Sequence, residues 1–208
     1  MNSSPNAASS VSPSNKAASS SPSVTNLLDQ SALTDIAQRL VEAAKKAGAD
    51  AADAVAVRGV SQGVEIRDGR VEESERSEGD DVGLRVLVGK RQAVVSTNDI
   101  SGDNVATLAA RAVAMAKVAP EDASVGLADP ALLAKDFPDL DLLDRNVPSL
   151  DELERRAHEA EAAALAVKGV TKSSGASASS GIGGMVLVTS TGFHGAYLRS
   201  SQGVSMTA

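Results

Sequence analysis

Residues 51 to 97 alternate between apolar and polar side chains with a period of two, broken by residues that favour turns. The core of this region reads VEIRDGRVEESERSEGDDVGLRVLVGKRQAVVSTND, residues 64 to 99. Such alternation describes strands with one face toward a core and one toward water. Asp68-Gly69 supplies two residues that tolerate positive φ, as a tight hairpin turn requires. Gly89-Lys90 marks a second turn. Five runs read as strands: ADAVAVRG, VSQGVEIRD, RVEESERSE, VGLRVLV and QAVVST. Short turns between consecutive strands force antiparallel pairing, because parallel neighbours need long crossovers.

Helical spacing brackets this region. Leu33, Ile36, Ala37, Leu40, Val41 and Ala44 form one apolar stripe over 31–47, with Ser31 or Asp29 to cap its start and Gly48 to stop it. A second stripe, Val105, Leu108, Ala109, Ala112 and Met115, predicts a helix after a cap at Asn98 or Ser101. A third helix starts at Ser149, whose spacing to Glu152 is that of a capping box, and runs to about Val167, with Gly169 beyond it. Residues 120 to 148 form a Pro- and Asp-rich connection with one short helical piece at DPALLAK; a connection that long is usually functional or a surface arm. Strands resume with VTKSSGASASS, GMVLVTS and, after a turn at Thr191-Gly192, FHGAYLRSSQGVSMTA. The expected fold class is α+β, an antiparallel β-sheet with amphipathic helices packed on it.

Two segments bear on domain organisation. Residues 1–23 hold ten serines and a single charged side chain, Lys16. Such a segment buries too little apolar surface to offset its ordering entropy and reads as a disordered Ser-rich tail. It lacks the apolar stretch of a secretory signal and the arginines of a transit peptide. Residues 24–208 read as one domain. Its final segment stops at Ala208 in mid-strand, the pattern of a domain continued by further chain.

Composition removes several function classes. The net charge is −7, Lys and Arg are scattered, and only Phe137, Phe193 and Tyr197 are aromatic. Nucleic-acid binding rests on clustered cations and stacking platforms, so it is not expected. No cysteine is present, which excludes disulfides and thiolate chemistry in this chain and suits a reducing cytoplasm. No apolar run reaches membrane-spanning length. The two histidines, His158 and His194, are too few for a His-rich metal site. There is no P-loop, no dinucleotide fingerprint, no GxSxG elbow and no HExxH.

The acidic run Glu72, Glu73, Glu75, Glu78, Asp80 and Asp81 is the densest group of chemically competent side chains. On a strand, Glu73 and Glu75 share one face while Glu72 and Glu78 share the other, so the set converges only if the strand bulges. Arg67, Arg70, Arg76 and Arg85 stand near enough to pair with it across strands. The looped spacing of a calcium site is absent. The run therefore reads as a solvated face that protects a sheet edge. His194 reads as a polar residue at a strand end without a visible orienting partner. His158, between Glu154 and Glu161 on the third helix, reads as part of a solvated helix face.

The order of several pieces resembles the amino-terminal half of the TldD/PmbA family, in its PmbA/TldE branch. These pieces are a helix ending in AGAD, then AVAVRG, then IRDGRVEESERSEGDDVGLRVLVGKRQAVVSTND and an Ala-rich helix. DPALLAKDFPDLDLLDRNVPSLDELERRAHEAEAAAL and VLVTSTGFHGAYLRSS complete the order. One departure is Gln92-Ala93, where relatives commonly carry a Gly after the turn. The resemblance implies a cytoplasmic subunit of a metal-dependent protease complex that processes or degrades small or unfolded peptides. It implies dimers, with a TldD-like subunit or with itself. It also places zinc or a similar divalent metal in the TldD-type partner, on two histidines of an HExxxH helix and a later cysteine. None of those ligands has a matching position here, so no catalytic, cofactor-binding or metal residue is carried over. The expected role is substrate-chamber and subunit-interface surface. The alternatives are a non-enzymatic protein-binding module and a self-contained hydrolase built on His194 and the carboxylate run.

Overall fold

A computed structural model describes residues 29–99, 101, 102, 104–136 and 138–208. The Ser-rich tail at 1–23 lies outside the described residues. The elements are α1 (Ser31–Lys46), β1 (Ala51–Arg67), β2 (Arg70–Val88), β3 (Arg91–Thr97), α2 (Val105–Val118), a 3-10 turn (Pro130–Leu132), α3 (Leu150–Leu165), β4 (Gly175–Thr189) and β5 (His194–Thr207). The strands form one five-stranded sheet in the order β3-β2-β1-β4-β5, antiparallel throughout. The α+β reading holds.

The strands are fewer and longer than the sequence pattern predicts. The first two predicted strands are one, β1, and the next two are one, β2. The predicted breaks fall near Gly59 and Gly79, which face each other in mid-ladder. Gly59 also faces Gly183 on β4. The glycines therefore mark a flat, bare row across the sheet and not a turn. β4 likewise joins the weakly alternating serines to the apolar GMVLV run.

The turns are where the residue types require them. Asp68 and Gly69 take φ of 50° and 71°, the pair of positive values a type I′ hairpin needs. Gly48, at φ 101°, ends α1: its N–H reaches the Lys45 carbonyl at 3.1 Å and the Ala49 N–H reaches the Ala44 carbonyl at 3.0 Å, a Schellman closure. Caps depart from expectation. Asp29 accepts the Ser31 N–H at 2.9 Å while Gln30 occupies the cap position of α1. α2 is preceded by Asn104, with no side-chain cap bond. At α3, Ser149 Oγ accepts the Glu152 N–H at 3.2 Å, but the Glu152 carboxylate turns to Arg155 and Arg156 in place of closing the capping box. Those two arginines, Arg155 first, hold its pKa down to about 2.

The three described α-helices cover one face of the sheet, the face of even-numbered residues on β1 and β4. The core is divided. Leu33, Ile36 and Leu40 of α1 and Ala112 and Val113 of α2 pack with Ala54, Ala56, Leu84, Val86 and Val186. At the other end, Leu153 and Ala157 of α3 pack with Val64, Ile66, Ala176 and Ala178. Between the two lies a polar row in which Arg58 grips Asp80 with two hydrogen bonds, of 2.7 and 2.9 Å.

Candidate functional site

The odd-numbered face of the sheet carries no helix among the described residues, and cross-strand register arranges it in rows. Tyr197, Met185, Val57 and Asp81 form one row; Gly195, Leu187, Val55 and Gly83 form the next. On the other side come Arg199, Gly183, Gly59 and Gly79, then Ser201, Gly181, Ser61 and Ser77. An apolar band thus borders a field of glycine and serine where backbone lies at the surface.

The acidic run distributes itself over both faces. Glu65 faces Glu73 while Ile66 faces Val71, which leaves Glu72 as the extra residue of a β-bulge. Glu72 pairs with Arg67 at 3.2 Å, and Glu78 pairs with Arg76, its neighbour two along the same strand, at 2.6 Å. Asp80 belongs to Arg58, a cation outside the group expected to pair with the run. Arg85 bonds Asp53, at 3.0 Å from Nε, and no member of the run. Arg70 forms no ion pair with the run. Glu65, Glu73, Glu75 and Asp81 remain on the helix-free face, with no ion pair among the described residues. β3 covers β2 only from Val82 to Val88. From Arg70 to Asp81 the outer side of β2 has no neighbouring strand among the described residues. Every second residue there turns its N–H and C=O outward. The run does lie on an open edge.

The connection before α3 is an arm laid on the opposite edge. Leu142 O accepts the Ser200 N–H at 3.0 Å, Ser200 Oγ accepts the Asp144 N–H at 2.8 Å, and Gln202 donates to the Asn146 carbonyl at 3.1 Å. Between the arm and the end of β4–β5 lies a groove of about 680 Å³, lined by Leu140, Leu142, Met185, Leu187 and Tyr197 among others.

Neither histidine joins the carboxylates. His194 opens β5 opposite Val188 and is exposed. It stands three strand spacings from β2, on the order of 14 Å. His158 contacts Glu154 at 3.6 Å. Its other expected neighbour, Glu161, is buried at 3% exposure and turns inward. Glu161 accepts the Asp68 and Gly69 N–H groups at 2.9 and 2.8 Å. The Ser173 hydroxyl, then the Gly69 N–H, hold its carboxyl below the usual range. It is a clamp from α3 onto the β1–β2 turn. Its signal in the sequence is its place on the stripe Leu153, Ala157, Glu161.

Among the described residues no three His, Cys, Asp or Glu side chains come together in a way that could hold a metal ion. No described helix is long and apolar enough to cross a membrane. Among the described residues these features define a one-sided antiparallel sheet with an open charged edge and an apolar groove.

Comparison with known proteins assigns that scaffold. Residues 52–116 match the PmbA/TldA metallopeptidase domain 1, and residues 144–208 match the PmbA/TldA metallopeptidase central domain. The chain is 35% identical over 167 residues to the metalloprotease PmbA homolog of Haemophilus influenzae, covering 79% of this chain and 37% of that protein. It is 32% identical over 143 residues to metalloprotease PmbA of Escherichia coli O157:H7, covering 68% and 32%. The chain thus spans about a third of its curated relatives' length. In fold it is similar to a candidate modulator of DNA gyrase from Bacteroides thetaiotaomicron (TM-score 0.74, 22% identity, 82% of this chain and 39% of that one). It is also similar to TldE from Thermococcus kodakarensis (TM-score 0.67, 16% identity, 82% and 38%). The chain belongs to the TldD/PmbA metallopeptidase family and covers its amino-terminal part. β1, within the first matched domain, pairs along its length with β4 of the second.

Proposed function

We propose that this chain forms substrate-chamber and subunit-interface surface in a cytoplasmic, metal-dependent protease complex that processes small or unfolded peptides. The hydrolytic metal, zinc or a similar divalent ion, resides in a TldD-like partner. The observation that carries this reading is the pairing of family with composition. A metallopeptidase-family sheet is built here without a metal-ligand set among the described residues, yet with a bare face and an unpaired edge on β2. A zinc hydrolase needs several N, O or S ligands around an activated water, and the described residues do not fit that requirement. An open edge can accept an extended peptide through main-chain hydrogen bonds, with side chains read alternately above and below.

The test is co-expression of the full-length protein with a TldD-like subunit, followed by mass measurement and metal analysis of the isolated complex. A heterodimer whose metal stays with the partner after separation supports the proposal. A partner that carries no metal, or two chains that never associate, would favour a non-enzymatic protein-binding module.

A further inference from the structure

The groove between the arm and β5 is apolar on both walls and open to water. Leu140 is 66% exposed, Leu142 46% and Tyr197 41%. Large apolar side chains left wet on facing walls of one concavity mark an interaction site, unlike the scattered apolar residues of any surface. Its volume of about 680 Å³ lies within the range of sites that seat ligands or short peptide segments.

Charge selects among occupants. Asp139 and Asp141 line the groove and form no ion pair among the described residues, against a single cation, Arg145. The row that holds Tyr197 and Met185 continues through Val57 to Asp81, and Glu75 and Glu73 follow on the same face. Arg199 stands in the adjacent row as a second cation, and carboxylates still outnumber cations over groove and face. A second copy of this surface would set like charges against each other, whereas Lys and Arg side chains would be drawn in.

We infer that the groove seats the apolar side chains of an extended, basic stretch of peptide, whose Lys or Arg side chains lie over the neighbouring carboxylates. The inference rests on the peptide-processing role proposed above and names the class of peptide. Folded proteins bury most of their large apolar side chains, so a site that reads an apolar anchor beside a cation selects unfolded chain.

Fluorescence anisotropy on the full-length protein tests this with three labelled Gly/Ser-based peptides, carrying Leu and Lys, Ser and Lys, or Leu and Glu. The Leu/Lys peptide should bind at least ten-fold tighter than either other, and added salt should narrow its advantage over Leu/Glu. Leu142→Asp and Tyr197→Ser lie at exposed positions and should each weaken Leu/Lys binding five-fold or more, with unchanged circular dichroism. Equal binding by both variants, while the complex with the partner still cleaves peptide, overturns the groove and leaves the subunit's role standing. Absence of peptide cleavage by the wild-type complex removes that role itself. A concentration-dependent dimer that Leu142→Asp abolishes assigns the groove to a second copy and also overturns the inference.

Discussion

Leu153→Ala should loosen one end of the sheet and leave the other intact. Leu153 is fully buried and, with Ile66, is the largest side chain of the smaller core. Three of its buried companions are alanines, Ala157, Ala176 and Ala178, which have no spare length to fill the space left behind. Leu→Ala losses combine the lost transfer energy with a cavity term that grows when the site cannot collapse. The expected cost is therefore about 3–4 kcal/mol, in the upper part of the range for such changes. The polar Arg58–Asp80 row separates this core from the α1–α2 core, so the loss should be local. Native-state hydrogen exchange reads that directly. Amides of α3, of the Asp68-Gly69 turn and of the β1 and β4 segments around Val64 and Ala178 should lose protection. Those of α1 and α2 should keep theirs. Uniform loss of protection, or a cost below about 1 kcal/mol in urea unfolding, would refute the two-core account.

Other perturbations probe single features. Glu161→Gln should speed exchange at the Asp68 and Gly69 amides. It should also flatten the acid limb of stability. A carboxyl held below its ordinary 4.5 stabilises above that value and loses the contribution as pH falls toward the lowered one, so the wild type should lose more than the variant below about pH 4.5. Asp80→Asn removes the carboxylate from a half-buried arginine and should cost about 1–2 kcal/mol by denaturant titration, with Arg58 and Asp80 coupled in a double-mutant cycle. Gly69→Ala forces an L side chain to φ 71° and should cost about 1 kcal/mol. Gly79→Ala, with nothing within 4 Å of the added Cβ, should stay within about 0.5 kcal/mol of the wild type.

What was legible in the sequence was local. Helical stripes such as Leu33–Ile36–Leu40 and the Asp68-Gly69 turn follow from the nearest residues, and each is where the pattern puts it. Gly59 and Gly79 misled, because a glycine between two alternating runs looks the same whether the chain turns or the strand continues; only the partner strand decides. The pairing of β1 with β4 joins residues more than a hundred positions apart and leaves no local trace. The open edge of the acidic strand was readable from its charge, but its ion-pair partners were not. Arg58 takes Asp80 and Arg85 takes Asp53 because register, set by the whole sheet, determines which side chains stand opposite. Glu161 was read with His158 as part of a solvated helix face and is buried, because the turn it holds lies far away in the chain. The groove was unreadable, since it arises only when the arm lies down along β5.

Reconstituted peptide cleavage tests the central claim most directly. A disordered substrate is incubated with the full-length protein alone, with a TldD-like subunit alone, and with both, each with and without chelator. The account predicts cleavage that requires both chains and that chelator abolishes. Cleavage by this protein alone, or by the TldD-like subunit equally well without it, would contradict it.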